Sequence, residues 1–484
     1  MLFQSPEFLL YFLPIVFVGF MVLKRFPQLW PCQLFLAVGS LVFYAFWKPV
    51  YLPIIIGSIL ANYCFGLALR KKRSSSLLWL GILVNLTLLF GYKYLDFVLS
   101  NILALSGSTY EGFNLLLPLG ISFFTFQNIT YLVDTYDGLT KRTGLINYFL
   151  FVSFFPQLIA GPIVHHSEMM PQFESKKSYD FKLLFLGVFV FCIGLIKKVG
   201  IADTFALWVN KGFGNAEALH LFESWAVSLS YTFQLYFDFS GYSDMAIGIG
   251  LMFNIRLPEN FNSPFKAGSI TEFWQRWHMT LTRFINTYLY TTIIRRLSSI
   301  TFPKILAVTL LTMTIVGLWH GANWTFIVFG FMHGFGLVIN QCSKKLRIKM
   351  PYILGFLMTF LFVNFSFVVF RADNLGQAWT IIYAMFGGNG IVLDPVIFGR
   401  FPMLQEYGVV FGNWFSNVGA LDRKFVILTF IILCVVVFGR NTRQIADSIN
   451  LTWRDAYLFS FAVVLAINTV IATNNPSEFL YFNF

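Results

Sequence analysis

The sequence predicts an all-α, polytopic integral membrane protein, and three observations support this fold class. Of its 484 residues, 57% are hydrophobic and only 12% are charged, a composition that soluble domains rarely have. Apolar stretches recur along the chain, and a helix that crosses the hydrocarbon core needs about 20 mostly apolar residues. Short polar segments with Lys and Arg separate these stretches. The pattern predicts roughly ten to twelve transmembrane helices together with re-entrant or short helices.

The apolar stretches follow one another with short breaks. In chain order they are residues 8–23, 32–47, 50–69, 77–99, 115–133, 145–160, 181–200, 222–253, 279–294, 304–340, 352–371, 425–439 and 456–473. Residues 151–166 contain Pro156, Gly161 and Pro162, which predict a kinked or re-entrant element. Because irregular backbone is tolerated at membrane depth only inside protein or beside a water-filled cavity, this element favours an enclosed site.

The order of segments favours one membrane domain over residues 1–484, with core motifs in 117–334 and C-terminal helices in 352–484. No internal repeat or low-complexity linker divides the chain. Basic residues follow the first, third and fifth apolar stretches, namely Lys24, Arg25, Arg70, Lys71, Lys72, Arg73, Lys141 and Arg142. If these clusters are cytoplasmic, the N-terminus lies outside. The first apolar stretch lacks a cleavage site and is predicted to be retained.

The distribution of charge, cysteine and histidine residues argues against a nucleic-acid partner, disulfide bonds and a metal site. The net charge of +12 is spread over short clusters between apolar stretches, so we expect no nucleic-acid partner. The five cysteines have no paired spacing and are interpreted as packing residues. His165 and His166, with Glu168, have no further ligand at a recognised spacing, so no metal site is predicted.

The most informative segment is residues 317–324, which lie inside the apolar stretch 304–340 and carry His320. An ionisable side chain at membrane depth faces the bundle interior or a cavity and marks a functional site by default. The alternative is a structural histidine that is hydrogen-bonded between helices. Trp319 is adjacent, and Asn323 is predicted to share a helix face with His320 because the two are three residues apart. Asn323 could then orient the imidazole or a substrate carbonyl.

Histidine suits acyl transfer because it can accept a proton from a hydroxyl nucleophile and return one to the leaving group. It could instead take the acyl group itself. His333, thirteen residues after His320, lies about 140° round the same predicted helix and is the poorer candidate.

A second constellation, residues 273–280, lies where a polar segment meets an apolar one. Trp274 and His278 are four residues apart and are predicted to stack on one helix face. Arg276 could pair with the phosphate of an acyl donor. The alternative is an interfacial aromatic and basic anchor.

A third constellation, residues 234–244, places Asp238 and Asp244 in an apolar stretch. Carboxylates there need partners, and the positive residues of segment 254–278 could supply them. Asp238 and Tyr242 share a helix face. The favoured role of these carboxylates is to fix the helix packing around a catalytic cavity, and the alternative is that they act as acid and base.

Together these motifs resemble the membrane-bound O-acyltransferase family, in particular its bacterial alginate O-acetyltransferase branch. The segments that carry the resemblance are LPLGISFFTFQNITYLVDTYDG at 117–138, FFPQLIAGPIV at 154–164, FQLYFDFSGYSDMAIGIG at 233–250, RLPENFNSP at 256–264, FWQRWHMTLTRF at 273–284 and GLWHGANWTFIVFGFMHG at 317–334. They are long, and they occur in the family's order.

The resemblance implies a helical domain around a central channel, with the histidine matching His320 deep inside it and catalytic. The histidine matching His278 is implied to lie toward the cytoplasmic side and to support activity. The implied acyl donor is acetyl-CoA or an acyl-carrier protein thioester, with no tightly bound cofactor or metal. The acceptor is implied to be an extracytoplasmic polysaccharide or cell-envelope glycan, reached at the bacterial inner membrane through an SGNH-hydrolase-like acetyltransferase or through polysaccharide machinery.

One segment departs from the family. After the second histidine motif, the family usually has Arg-Asp-Tyr-Leu-Tyr, whereas this chain has Asn286 and Thr287 before Tyr288. The change bears on the donor, acceptor or partner at this entrance. Two alternatives to glycan acetylation are D-alanyl or other acyl transfer to teichoic acid or lipid, and a channel-like transporter without catalysis.

Overall fold

The structure, a computed structural model, describes residues 1–113, 115–176, 178–413, 415–418, 423–450, 452–473 and 479–480. Within these ranges the chain is mostly helical and has only two short strands. Seven helical stretches are long and apolar enough to cross a membrane, namely 49–71, 75–93, 181–214, 302–320, 324–345, 352–371 and 453–472. Four shorter apolar helices are 7–23, 30–45, 95–105 and 425–438. The predicted all-α, polytopic membrane fold is confirmed, because repeated apolar helices of this kind need the bilayer as solvent.

The described residues form two compact units. The first comprises residues 1–195, 241–259 and 449–483, and the second comprises residues 196–240, 260–448 and 484, apart from the undescribed positions. Helix Leu221–Met252 contributes residues to both. The single domain predicted over 1–484 stays a prediction, as does the central channel.

Among the described residues, the first unit contains helices and the loops that join them, with no strand. Its helices are Glu7–Phe12 (π), Leu13–Leu23, Trp30–Ala45, Pro49–Tyr51 (3-10), Leu52–Lys71, Ser75–Lys93, Leu95–Leu105, Ile121–Tyr136, Leu145–Ser153, Phe155–Leu158, His166–Phe173, Phe181–Leu195 and Trp453–Ala472. Buried Asn62 and Asn85 donate amide hydrogens to each other's Oδ1 atoms at 3.1 and 2.6 Å. This pair joins two spanning helices, because a buried amide in an apolar helix needs a partner.

The second unit contains the short elements and the only two strands of the described residues. Its helices are Ile196–Ala202 (π), Asp203–Gly214, Ala216–Ala218 (3-10), Pro264–Lys266 (3-10), Ile270–Arg276, Met279–Phe284, Ile285–Tyr290 (π), Thr291–Arg295, Phe302–His320, Trp324–Lys345, Tyr352–Arg371, Leu375–Met385, Pro395–Phe398, Pro402–Tyr407 (3-10), Ser416–Val418 (3-10), Arg423–Phe438 and Thr442–Ala446. The strands Ile391–Leu393 and Val409–Phe411 pair in parallel.

The apolar stretch 304–340 is not one helix. Helix Phe302–His320 ends at Gly321, whose φ of −169° and ψ of 156° are extended, and helix Trp324–Lys345 then begins. The two helices form a hairpin in which Gly317 and Gly330 lie against each other, and a Cβ atom on either would clash with the opposite backbone. Small residues of this kind let helix backbones approach closely in membranes.

Residues 151–166 form the broken element that the sequence predicts. Helix Leu145–Ser153 stops at Phe154, a four-residue helix Phe155–Leu158 follows, and the chain then runs without helix to His165. Residues 151–164 are buried throughout. The irregular backbone is therefore enclosed by protein, as membrane depth requires.

Candidate active site

His320 is the last residue of helix Phe302–His320 and is 4% exposed. Its ring lies edge-on to Phe370 at 5.3 Å and to Phe329 at 6.1 Å between centroids. These two rings come from the next two spanning helices, 324–345 and 352–371. The fold therefore holds the imidazole inside the second unit, packed among aromatic rings.

The prediction that Asn323 shares a helix face with His320 is wrong. The helix ends before Asn323, and this residue caps the following helix by accepting a hydrogen bond from the Thr325 amide at 3.1 Å. Its Nδ2 donates to the Asp373 carbonyl oxygen at 2.9 Å. Both amide ends are thus used to shape the turn, which is a common role for Asn at a helix start.

His278 lies outside the spanning helices, between the short helices Ile270–Arg276 and Met279–Phe284, and is fully buried. Its backbone is left-handed, with a φ of 46° and a ψ of 51°. A non-glycine residue in this conformation is strained, and such strain clusters at functional sites. Burial lowers the pKa of His278 to about 3, so its imidazole is neutral at physiological pH.

Asn260 sets the tautomer of His278. The Asn260 Oδ1 atom accepts hydrogen bonds from the Thr280 hydroxyl at 2.7 Å and from the Thr280 backbone amide at 3.4 Å. A backbone N–H can only donate, so this oxygen is correctly assigned as an acceptor. His278 Nδ1, 3.2 Å away, must therefore donate to it. His278 Nε2 then carries the lone pair, and it has no hydrogen-bond partner among the described residues.

Trp319 contacts both histidines. Its ring centroid lies 5.0 Å from that of His320 and 6.4 Å from that of His278. Phe239 packs edge-on against His278 at 4.7 Å. The fold thus brings together the two predicted catalytic histidines and Trp319, which was predicted to contact substrate. The two histidines are 42 positions apart in the chain.

The predicted stacking of Trp274 on His278 is wrong. The helix ends at Arg276, so these two residues do not continue on one face. Trp274 Nε1 instead donates to His333 Nδ1 at 3.2 Å, and His333 Nε2 contacts the Ser366 hydroxyl at 2.9 Å. His333 is consequently held by two hydrogen bonds within the bundle, which favours a structural role for it.

Arg276 is partnered within its own helix. Its guanidinium lies 2.8 Å from Glu272 Oε1, and it also donates to the Asn262 carbonyl oxygen at 3.2 Å. About a third of each charged side chain is exposed. A phosphate would therefore have to share Arg276 with a carboxylate.

A cavity of about 250 Å³ lies beside this motif. Its lining includes Trp274, Thr282, Thr312, Asn286 and Lys344. It thus joins the short helices after His278 to the spanning helix that ends in His320, although neither histidine lines it. Asn286 belongs to the segment that departs from the family, and so the departure falls on a cavity wall.

Asp238 is neutralised by a residue that the sequence analysis missed. Its carboxylate lies 2.9 Å from Lys198 Nζ, which also contacts Asp203 at 2.6 Å. Lys198 is fully buried and comes from the π-helical stretch 196–202, which lies outside segment 254–278. A partner from that segment for Asp238 or Asp244 stays a prediction. A buried, paired carboxylate of this kind supports the favoured packing role.

Tyr242 belongs to the first unit and is buried between aromatic rings. Phe3 stacks on it at 4.8 Å and Phe479 at 4.5 Å between centroids. These contacts explain its burial by packing alone.

A second histidine cluster lies in the first unit. Asp134 Oδ2 contacts His165 Nε2 at 2.7 Å and His166 Nε2 at 2.9 Å. No metal site was predicted at His165 and His166, because no further ligand stands at a recognised spacing in the sequence. The fold brings Asp134, 31 residues before His165, to both imidazoles, so that three possible ligand atoms lie together. Asn260 was also missed, since only its contact with His278 reveals it.

Comparison with known proteins identifies the family. The model of the membrane-bound O-acyltransferase family matches residues 139–376. A peptidoglycan O-acetyltransferase of Helicobacter pylori is 40% identical over all of this chain and 98% of its own length. A probable alginate O-acetylase of Pseudomonas aeruginosa is 40% identical over 80% of this chain and 75% of its own length. A teichoic acid D-alanyltransferase of Bacillus subtilis is 29% identical over 63% of this chain and 80% of its own length.

The similarity to the first of these relatives runs from end to end at 40% identity, and it agrees with the polytopic helical fold and with the order of the motifs. The chain therefore belongs to the membrane-bound O-acyltransferase family, and it is a multi-pass membrane O-acyltransferase.

Proposed function

We propose that this enzyme takes an acetyl group from a cytoplasmic thioester and delivers it to hydroxyl groups of an extracytoplasmic cell-envelope glycan, with His320 as the catalytic residue. The observation that carries the proposal is the association of two buried histidines, His320 and His278, around the ring of Trp319. Two imidazoles in a water-poor pocket suit proton transfer between an oxygen nucleophile and a sulfur leaving group.

The chemistry needs one proton acceptor and one proton donor. A hydroxyl oxygen forms a bond to the thioester carbonyl carbon while His320 accepts the hydroxyl proton. The carbon–sulfur bond then breaks, and the thiolate receives that proton. If His320 instead takes the acyl group, its nitrogen bonds to the thioester carbonyl carbon as the carbon–sulfur bond breaks, and the thiolate receives the N–H proton of the imidazole. The acceptor hydroxyl then attacks the acyl carbon, the carbon–nitrogen bond breaks, and the hydroxyl proton returns to the imidazole. Both routes require a neutral imidazole at the start.

His278 supports this step as the second site histidine. Its Nδ1 hydrogen is committed to Asn260, so its Nε2 lone pair is aimed in a fixed direction. Its neutral state, held by burial, allows it to accept a hydrogen bond from the substrate. Trp319, which contacts both rings, would shape the acyl group's position.

The cavity beside Trp274 is the proposed entry of the thioester arm. It has both apolar and polar walls, including Thr282, Thr312 and Lys344, and therefore suits an arm that alternates amides and methylenes. Acetyl-CoA is the proposed donor, and an acyl-carrier protein thioester is the alternative. Arg276, Asn323 and Asp238 are proposed to hold the site's helices and turns in place through their hydrogen bonds and ion pairs. Tyr242 is proposed to stabilise the packing of the first unit.

The proposed acceptor follows from the relatives. The Helicobacter pylori protein, matched over 98% of its length, is named for peptidoglycan, and several other relatives, one of them matched over its whole length, are named for alginate. A cell-envelope glycan is their common chemistry. We further propose an extracytoplasmic SGNH-hydrolase-like partner and a bacterial inner-membrane location. The N-terminus is proposed to be external, because basic clusters follow the first, third and fifth apolar stretches and such clusters favour the cytoplasmic side.

The test uses the full chain in membranes or detergent with radiolabelled acetyl-CoA. Wild type should release CoA and pass label to a glycan acceptor, and His320→Ala should stop both while eluting as a folded, monodisperse protein. His220→Ala is the matched control, because His220 is a partly exposed histidine paired with Glu223. Full turnover by His320→Ala would refute the catalytic assignment.

The alternatives separate in the same assay. Transfer of D-alanine but not acetate would favour the teichoic acid reaction. Passage of an intact thioester or lipid with no CoA release would favour a transporter. Mass spectrometry of peptidoglycan fragments and secreted glycan from cells with and without the gene distinguishes the two proposed acceptors.

A further inference from the structure

The loop before helix His166–Phe173 brings two imidazoles onto one carboxylate. His165 Nε2 and His166 Nε2 lie 2.7 and 2.9 Å from the same Asp134 Oδ2 atom. The three atoms all lie within 4.8 Å of one another. Two imidazole nitrogens and one carboxylate oxygen that converge on one point are the ligand set of many zinc and other transition-metal sites.

We propose that Asp134, His165 and His166 bind one divalent transition-metal ion, of the zinc, cobalt or nickel class. Imidazole ligands favour these ions over magnesium and calcium, which prefer all-oxygen sites. The site is separate from the acyl-transfer histidines, because it is built entirely from residues of the first unit.

The ligand atoms lie close to the spacing that an ion requires. Bonds of about 2.0–2.2 Å at tetrahedral angles place ligand atoms roughly 3.3–3.6 Å apart. The oxygen–nitrogen distances of 2.7 and 2.9 Å therefore widen by roughly half an ångström, and the two imidazole nitrogens, which lie within 4.8 Å of each other, take up the same spacing. The His165 side chain is 28% exposed, so its ring has room to move, and the ion and a water molecule can enter from that side.

The surroundings hold the ligands in place. Asp134 is 4% exposed and lies near the end of helix Ile121–Tyr136. His166 is also 4% exposed and begins helix His166–Phe173. The Tyr131 ring packs edge-on against His166 at 6.1 Å. Burial of two of the three ligands restricts their rotamers, which preorganises a site.

Ser167 completes the arrangement at His165. Its hydroxyl oxygen lies 2.6 Å from His165 Nδ1. The Ser167 backbone N–H also donates to His165 Nδ1 at 3.3 Å, so His165 Nε2 carries the ring hydrogen in this arrangement. Metal binding at Nε2 therefore requires the other tautomer, in which Nδ1 gives up the backbone hydrogen bond and donates its own hydrogen to the Ser167 hydroxyl oxygen. A ligating histidine usually has such a partner on its other nitrogen, and the partner fixes both tautomer and ring orientation.

The consequence is a clamp across an irregular segment. Asp134 and His165 are 31 residues apart in the chain, and the intervening residues include the broken element at 151–164. A metal bond between the two ends would hold this segment closed. Loop closure of this kind stabilises the folded state because it restricts the unfolded chain.

The experiment measures metal on the purified full-length protein, prepared with a tag that contains no histidines and stripped with EDTA. After equilibration with Zn²⁺, elemental analysis should find one zinc per chain. Replacement of Zn²⁺ by Co²⁺ should give the visible absorption of a low-symmetry, nitrogen-ligated ion, and Zn²⁺ should raise the unfolding temperature of wild type.

Three variants keep a hydrogen-bonding side chain but remove a ligand: Asp134→Asn, His165→Gln and His166→Gln. Loss of an outer partner alone costs 10–100-fold in affinity, so loss of a ligand should cost about 100-fold or more. His220→Gln is the control and should bind zinc as wild type does, because His220 contacts a carboxylate without a second histidine.

Wild type without stoichiometric zinc, or variants that retain it, would overturn the proposal and leave the cluster as a hydrogen-bonded anchor. If a variant does not fold, the cobalt spectrum and zinc-dependent stability of wild type still decide the matter. The zinc-binding measurement contains no acyl donor, and His320→Ala should bind zinc as wild type does. A wrong metal assignment and a wrong catalytic assignment would therefore be detected in different assays.

Discussion

The two histidine pairs of this protein show how surroundings decide what an imidazole can do. In the second unit, His278 and His320 contact aromatic rings, and the His278 imidazole donates to an amide oxygen. In the first unit, His165 and His166 both contact one carboxylate. An amide oxygen and aromatic rings leave an imidazole nitrogen available to a substrate, whereas a carboxylate oxygen beside two imidazole nitrogens forms a ligand set for a metal ion. The first setting suits proton transfer, and the second suits ligation.

The largest expected effect is on the rate of acetyl transfer, and it tests the catalytic role of His320 in the second unit. Positioned proton transfer contributes about 10²- to 10⁴-fold to rate, so His320→Ala should reduce acetyl transfer by that factor or more. Acetyl-CoA consumption measures it, with expression and elution volume as checks on folding. A loss in His165→Ala as large as that in His320→Ala would remove the distinction between the pairs.

The next effect concerns a buried charge that neither histidine pair uses. Lys198→Met leaves Asp203 and Asp238 buried without their shared cation. Removing one partner of a buried ion pair typically costs about 3–5 kcal/mol. The unfolding temperature in detergent should therefore fall strongly, while the Zn²⁺ content of the folded fraction stays at the wild-type level. An unchanged unfolding temperature would contradict the packing role of Asp238.

A smaller effect tests the amide beside His278. Asn260→Ala removes the acceptor of the Nδ1 hydrogen, which frees the tautomer and ring orientation. One hydrogen bond is worth about 1–1.5 kcal/mol, which corresponds to roughly tenfold in rate. We expect kcat to fall by about this factor with little change in KM. Asn260→Asp should not restore it if a neutral imidazole is required, and recovery in that variant would count against the neutral state.

The smallest effect is on pH dependence. Because burial lowers the pKa of His278 to about 3, this residue stays neutral as the pH falls from 7 through the mildly acidic range. His278→Gln should therefore lower the rate at every pH without moving the midpoint of the acidic limb in the pH–rate profile. A shifted midpoint would show that His278 titrates in that range, contrary to its dry surroundings.

Much of the membrane fold could be predicted because its physical cause is local. Apolar stretches of sufficient length, separated by basic residues, require a helical membrane protein wherever they occur. His320 could be singled out for the same reason, since an ionisable residue in an apolar stretch is costly. The motif order around His278 and His320 then indicated the family.

The turn at residues 321–323 shows where local reasoning fails. An apolar stretch of 37 residues, 304–340, has no internal signal strong enough to separate one long helix from a hairpin, although Gly321 and the capping residue Asn323 lie at the break. Once the chain turns there, Asn323 leaves the face of His320 and binds the Asp373 carbonyl oxygen.

By itself, the sequence determined that this chain is a helical membrane protein and which motifs mark its family, because long apolar stretches require helices in the bilayer and the long motifs can be recognised without the fold. Only the tertiary structure decided which polar side chains are in contact, namely Lys198 with Asp238, Asn260 with His278, and Asp134 with His165 and His166. Those pairs join residues that are between 18 and 40 positions apart, and only the packing of separate elements can bring such side chains to hydrogen-bonding distance.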